Sequence, residues 1–201
     1  MKDRWVFDEL LKAAREAYCG HSETLAFTPF PKDIVPQDIA PFHCPCADVM
    51  CNDSSLISER YAPLQEAILA ASPAAEWRET YKDTDIGADF MNRFGCYCII
   101  GEGGPFMSDA IRLYMVYMPA HLYYPWHQHP AEEIYLVVSG RAIFRKAGCA
   151  DVVLKEGQTA FHGPNQPHAT ETTDSPVLCL VAWRDQFHAP PVWTPVDAVQ
   201  G

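Results

Sequence analysis

The chain has 201 residues, 48% of them hydrophobic and 12% aromatic, which suits one folded domain with room for an appended subdomain and excludes a disordered chain. Its formal net charge is -11 and no run of Lys or Arg interrupts the acidic balance, so nucleic acid and anionic membrane surfaces are poor partners. No apolar run approaches transmembrane length, and acids stand where a secretory signal needs an apolar core, so the expected compartment is the cytoplasm. The eight cysteines are read as thiols, mostly buried.

In chain order, residues 3 to 18 carry Phe7, Leu10, Leu11, Ala14 and Tyr18 at helical spacing, with Asp3 available as an N-cap. From Gly20 to Asp53 the chain holds Pro29, Pro31, Pro36, Pro41 and Pro45, which forbids long helices and predicts extended chain wrapped over something. A helix is predicted around residues 54 to 71, with Pro63 suited to its first turn, and a short one after Ser72-Pro73. Beyond Asp89 the runs 96–100, 112–118, 134–138, 142–145, 152–154, 159–161 and 177–183 alternate as short strands between Gly, Pro, Asp and Ser. The expected organisation is a helical and Pro-rich extension over residues 1–90 packed on a β-barrel over residues 91–201.

The chemistry concentrates in one stretch. His127 and His129 are two residues apart, so on an extended strand both imidazoles leave one face. Glu133 follows after a Pro-Ala-Glu turn, Tyr135 shares its side of the strand, and Gly140 is expected to end the run. His168, after a Gly/Pro turn, supplies a candidate fourth ligand. Three imidazoles and one carboxylate suit a single divalent transition metal ion (Fe, Mn, Zn, Co or Ni) with room for water or substrate.

These residues resemble the cupins, small β-barrels with a first motif of HxH, three or four residues, Glu, six residues and Gly. His127, His129, Glu133 and Gly140 fit it. In the second motif Gly157 and His168 are in register, but Gly163 and Asn165 stand where Pro and Gly are usual, and Thr172 replaces the common Asn. His121 stands where the first motif usually opens with Gly. The resemblance covers about residues 121 to 172 and implies a mainly β double-stranded β-helix barrel. More closely, the segment Tyr124 to Tyr135 resembles the cupin-type dimethylsulfoniopropionate lyases, the DddQ-like group, whose size and N-terminal helical part also match.

That resemblance implies a metal-dependent carbon-sulfur lyase that cleaves dimethylsulfoniopropionate, a small molecule, to dimethyl sulfide and acrylate by base-catalysed β-elimination, with His127, His129, Glu133 and His168 on the metal. It implies Tyr135 as the base and Tyr124 as a second tyrosine near the metal. Removing a proton beside a carboxylate requires a Lewis acid to withdraw charge, and a Tyr beside a divalent cation would have its pKa lowered from about 10. A sulfonium could be held by aromatic faces, with Tyr124, Trp126 and Trp183 as candidates. From the residues alone, Tyr135 reads as a packing strand tyrosine, and Tyr124 and Trp126 fit pocket lining and barrel-mouth packing equally. Other readings of the same ligands are a cupin dioxygenase, an isomerase on another small acid, or a non-catalytic ligand-binding cupin. The expected assembly is a monomer or homodimer.

Glu132 points away from the ligand face, as a solvated charge or a partner to the ligands, and His162 is given a surface or supporting role. The cluster His43-Cys44-Pro-Cys46 with Cys51 lacks the second paired half of a zinc site. Cys96 and Cys98 share a strand face and read as buried thiols.

Overall fold

The computed structural model describes residues 4–82, 84–195 and 199. Helix α1 (Arg4–Cys19) buries Phe7, Leu10, Ala14 and Tyr18 on one stripe, and the Gly20 N–H closes its last turn on the Glu16 carbonyl. The N-cap expected at Asp3 lies outside the described residues. Two short helices interrupt the Pro-rich stretch where extended chain was expected. One is α2 (Ser22–Phe27), capped by the His21 side chain, which accepts from the Glu23 N–H; the other is α3 (Pro45–Cys51), where Pro45 occupies a first-turn position that needs no N–H. The helix expected over 54–71 shrinks to α4 (Ala62–Ala71), with Pro63 in its first turn, and a 3-10 turn (Ser72–Ala74) follows. A further helix, α5 (Ala88–Arg93), precedes the main strands. No helix among the described residues is long and apolar enough to cross a membrane.

The strands are β1 (Val35–Pro36), β2 (Gly95–Ile100), β3 (Phe106–Met107), β4 (Arg112–Met118), β5 (Tyr123–Gln128), β6 (Glu132–Lys146), β7 (Val152–Lys155), β8 (Thr159–His162), β9 (His168–Glu171), β10 (Val177–Arg184) and β11 (Val192–Trp193). Their order is β1-β3-β2-β4-β10-β6-β9-β5-β11, with β7 and β8 also paired to β6. The Pro-rich segment thus contributes an edge strand, since β1 pairs with β3.

Strand β6 replaces the two strands expected at 134–138 and 142–145, and Gly140 bends it instead of ending it. Residues before the bend pair with β10 and β8, and residues after it pair with β7 and β9. Gly140 takes φ of 73°, and a Cβ there would lie 1.9 Å from the Pro176 carbonyl oxygen, so only glycine fits. This one strand therefore belongs to both halves of the barrel.

The central strands are buried on both faces, which explains their near-continuous apolar runs. On β6, Ile134, Leu136 and Val138 join the core that contains Phe7 and Leu10 of α1, Met50 of α3 and Ile68 of α4. The alternate residues Tyr135 and Val137 join a second core inside the barrel with Val116, Cys179 and Val181. The architecture is mainly β, a cupin-type barrel with a helical layer on one outer face.

Two departures from the motif pattern have a backbone explanation. His121 and Asn165, each standing where glycine is usual, both adopt the left-handed region, with φ of 58° and 53°. The turns keep their shape with residue types that tolerate it. Thr172 is buried, accepts the Leu122 N–H at 3.0 Å and donates to the Pro119 carbonyl at 2.6 Å.

Because the bend at Gly140 is fixed by the backbone of Pro176, Gly140→Ala is expected to destabilise the protein by about 3 kcal/mol or more. Urea unfolding measures it, and a loss under about 0.5 kcal/mol would show that the bend relaxes freely.

Candidate metal centre and active-site cavity

Glu133, 2% exposed, occupies the inner face of β6. The sheet register sets His162 of β8 on one side of it and Trp183 of β10 on the other. Both neighbours bind its carboxylate: Trp183 Nε1–H donates to Oε1 at 2.6 Å, and His162 Nδ1 donates to Oε2 at 2.9 Å. From the loop after β5 and from β9, His129 Nε2 and His168 Nε2 approach the same Oε2, at 3.5 and 3.2 Å.

His129, Glu133 and His168 are all buried and bring one donor atom each within 4.8 Å of one another. The tautomers suit a cation. Nδ1 of His129 faces the Ala131 carbonyl at 3.0 Å, and Nδ1 of His168 faces the Gln166 carbonyl at 2.8 Å. A carbonyl only accepts, so each Nδ1 carries the proton and each Nε2 presents a lone pair. Both Nε2 atoms are buried without a hydrogen-bond partner among the described residues. Two orphaned lone pairs beside a carboxylate fit a divalent metal ion.

Burial pushes the Glu133 carboxyl up, but the neighbouring His129, His162 and His168 outweigh it and hold the carboxyl well below its usual range. Burial lowers His129 as well, yet Glu133 raises it above an ordinary histidine. His162 is pushed down to about 4, first by burial and then by His168, against the pull of Glu133. It stays neutral and supports the carboxylate, so the surface alternative for His162 falls. Glu132 pairs with Arg184 at 2.5 Å on the other face.

Of the four expected ligands the structure brings three together. His127 is buried beside His168, with ring centroids 4.1 Å apart, but falls outside the 4.8 Å set. Its Nδ1 also faces a carbonyl, that of Pro125, at 2.8 Å. Burial and then His168 hold its pKa well below 6.5.

A cavity of about 330 Å³ opens next to the centre, with Glu133, His127, Tyr124, Tyr135, Tyr81 and Trp183 in its wall. Arg78, Glu102 and Arg112 also line it, as does the segment Phe187 to Pro191, whereas no residue of the Pro-rich segment 28–46 does. A register shift in β5 between Tyr124 and His127 lets these residues, three apart, share the inner face. Their rings stack at 3.9 Å. The same bulge leaves Trp126 off the cavity wall, half-buried, with its carbonyl accepting from the Thr194 N–H. Trp183 lines the cavity while its ring stacks on His129 at 4.1 Å.

The two tyrosines differ in partners. The Tyr124 hydroxyl is hydrogen-bonded to that of Tyr81, whose ring stacks on Trp193 at 4.2 Å. The Tyr135 hydroxyl has no hydrogen-bond partner among the described residues; its ring packs edge-on to Phe144 and His162. Burial pushes both phenols well above 10, reinforced by Tyr81 at Tyr124 and by Glu133 at Tyr135. Tyr81 escaped the sequence reading because it precedes the barrel strands in an irregular stretch without periodicity.

Residues 26–179 match the model of the dimethylsulfoniopropionate lyase family. The chain is 44% identical over 189 residues to dimethylsulfoniopropionate lyase DddQ of Ruegeria pomeroyi, covering 94% of each chain. The crystal structure of DMSP lyase DddQ from that organism superposes with a TM-score of 0.92 over 94% of this chain and 96% of the other. A second crystal structure, from work on the DMSP lyases RdDddP and RnDddQII, is 37% identical, with a TM-score of 0.91 over 96% of this chain and 99% of its own. With the match extending from the end of α2 to the start of β10, the chain belongs to the dimethylsulfoniopropionate lyase family.

Proposed function

We propose that this protein is a metal-dependent carbon-sulfur lyase that cleaves dimethylsulfoniopropionate to dimethyl sulfide and acrylate. The observation that carries the reading is the placement of an unpartnered phenol, Tyr135, in a small cavity whose wall also holds Glu133 of the metal set. Family membership and a cavity of about 330 Å³ support a small substrate.

The reaction is a β-elimination. A base takes the proton from the carbon next to the carboxylate, the released pair forms the carbon-carbon double bond, and the carbon-sulfur bond breaks with its electrons leaving on sulfur. A divalent ion (Fe, Mn, Zn, Co or Ni) held by His129, Glu133 and His168 would supply the Lewis acidity that acidifies the α-proton of a carboxylate and a nearby phenol. Tyr135 is the base in this reading. Tyr124, paired with Tyr81 and stacked on His127, binds substrate or handles the proton. Tyr124 and Trp183, both on the cavity wall, are the aromatic side chains that would hold a sulfonium by cation-π attraction. His127, on the cavity wall next to His168, is a substrate-side neighbour of the metal set. All eight cysteines are free, which supports a reducing compartment such as the cytoplasm.

Tyr135→Phe is expected to keep its metal content while dimethyl sulfide release, read by headspace gas chromatography, falls by about 10²–10⁴-fold. Retained activity would remove Tyr135 as base, and oxygen consumption by the wild type without dimethyl sulfide would replace the lyase reading with an oxygenase.

Burial raises the phenol's pKa, so its ionised, basic form grows as pH rises, and the rate is expected to climb from neutral into the alkaline range. A stopped-time assay across that range measures it, and a profile that falls above neutrality would exclude a phenol as the base.

His129→Ala and His168→Ala are expected to lose bound metal and activity together, whereas His127→Ala keeps the metal and loses turnover. Elemental analysis of the purified variants decides, and loss of metal from His127→Ala would make His127 a ligand.

A further inference from the structure

Cys44 and Cys46 flank Pro45 at the start of α3, away from the cavity wall. Their sulfurs stand 2.7 Å apart, with the Cys46 thiol donating to Cys44. A disulfide needs about 2.05 Å, so less than about 1 Å of movement separates the thiols from a bond. Cys44 Sγ also lies 3.7 Å from the Met91 carbonyl of α5, the helix whose Phe90 ring lies 5.6 Å from that of Tyr124. Neither the metal centre nor the proposed elimination uses this pair.

We propose that Cys44 and Cys46 form an oxidisable dithiol, a modification site separate from the metal centre, that reacts with hydroperoxides and closes to an intrachain disulfide. The Cys44 sulfur attacks the peroxide oxygen, the O–O bond breaks, and an alcohol or water leaves as a sulfenic acid forms. The Cys46 sulfur then attacks the Cys44 sulfur, the S–S bond forms, and the S–O bond breaks to release water. Two thiols lose two hydrogens and two electrons, and the hydroperoxide accepts them.

The order of events follows from the geometry of the pair: the Cys46 thiol donates to the Cys44 sulfur, and Cys44 is the less buried of the two, 4% exposed against 0%. The hydrogen bond from Cys46 lowers Cys44 to about 7, against burial and Glu79, with His43 acting in the same direction. The same contact, with burial, pushes Cys46 far up. One sulfur is thereby the nucleophile and the other retains its proton until the second step. Burial instead raises Cys96 to about 11, and it pushes up Cys98 and Cys179.

The full chain, zinc-loaded, is treated with hydrogen peroxide, quenched, unfolded, alkylated with iodoacetamide and mapped by peptide mass. The peptide holding Cys44 and Cys46, although both residues are buried, is expected to lose two hydrogens and resist alkylation before the buried Cys96, Cys98 and Cys179 oxidise. Dithiothreitol should reverse it, and the circular dichroism spectrum should not change. Cys46→Ser should stop at a sulfenic acid on Cys44 that dimedone traps. The proposal is overturned if the wild-type pair stays fully alkylatable after Cys96, Cys98 and Cys179 have oxidised, or if Cys44 is found bonded to another cysteine; the wild-type map decides this even if the variant fails to fold.

Discussion

The site depends on one buried carboxylate. Glu133 sits inside the barrel where an isolated negative charge is costly; His129, His162 and His168 favour its ionised form, and its cross-strand neighbours, His162 and Trp183, donate to its two oxygens. With those donors in place, the carboxylate becomes a fixed anion against which His129 and His168 direct their lone pairs. Removing either supporter would leave a lone oxygen in low dielectric, so the ligand set and its supports form one unit.

The strand that carries this anion is fixed from its other face. Ile134, Leu136 and Val138 alternate with Glu133, Tyr135 and Val137, and they pack into the core shared with α1, α3 and α4. A slip of one residue in β6 would turn Glu133 and Tyr135 toward the helices and put three aliphatic side chains at the metal centre. The helical layer therefore does more than cover the sheet, because its apolar contacts select the register that places the chemistry inward. Gly140 adds the second constraint by bending the same strand into the half of the barrel that carries His168.

The barrel strands were legible because period-two alternation and turn residues mark them, and the ligand spacing was legible because HxH, Glu and His each sit at strand ends. What escaped was set by contacts distant in sequence. Gly140 looked like a terminator, since a glycine's left-handed turn and a strand bend have the same local composition. Trp126 looked equivalent to Tyr124 because a bulge shifts side-chain direction without a sequence signature. Tyr81 and the pairing of His162 with Glu133 became visible only once the chain was folded, as each lies more than 25 residues from its partner. Short helices α2 and α3 were hidden by the prolines around them, although Pro45 itself opens one.

The four histidines of the centre are separated by what their Nδ1 atoms meet. In His127, His129 and His168 that atom faces a carbonyl two residues away, so local backbone geometry fixes the tautomer and leaves Nε2 as a lone pair. In His162 it faces the Glu133 carboxylate instead, which makes that ring a donor to a ligand. Sequence register alone could not make this distinction, because it depends on which group stands opposite each ring. His127 has the ligand-type tautomer but lies on the cavity wall, outside the set of three. Burial and then His168 favour its neutral form. Of the phenols on the cavity wall, Tyr124 and Tyr81 have their hydroxyls paired with each other, whereas those of Tyr135 and Tyr114 have no hydrogen-bond partner among the described residues, and of these two Tyr135 shares strand β6 with Glu133, one side-chain step along the same face.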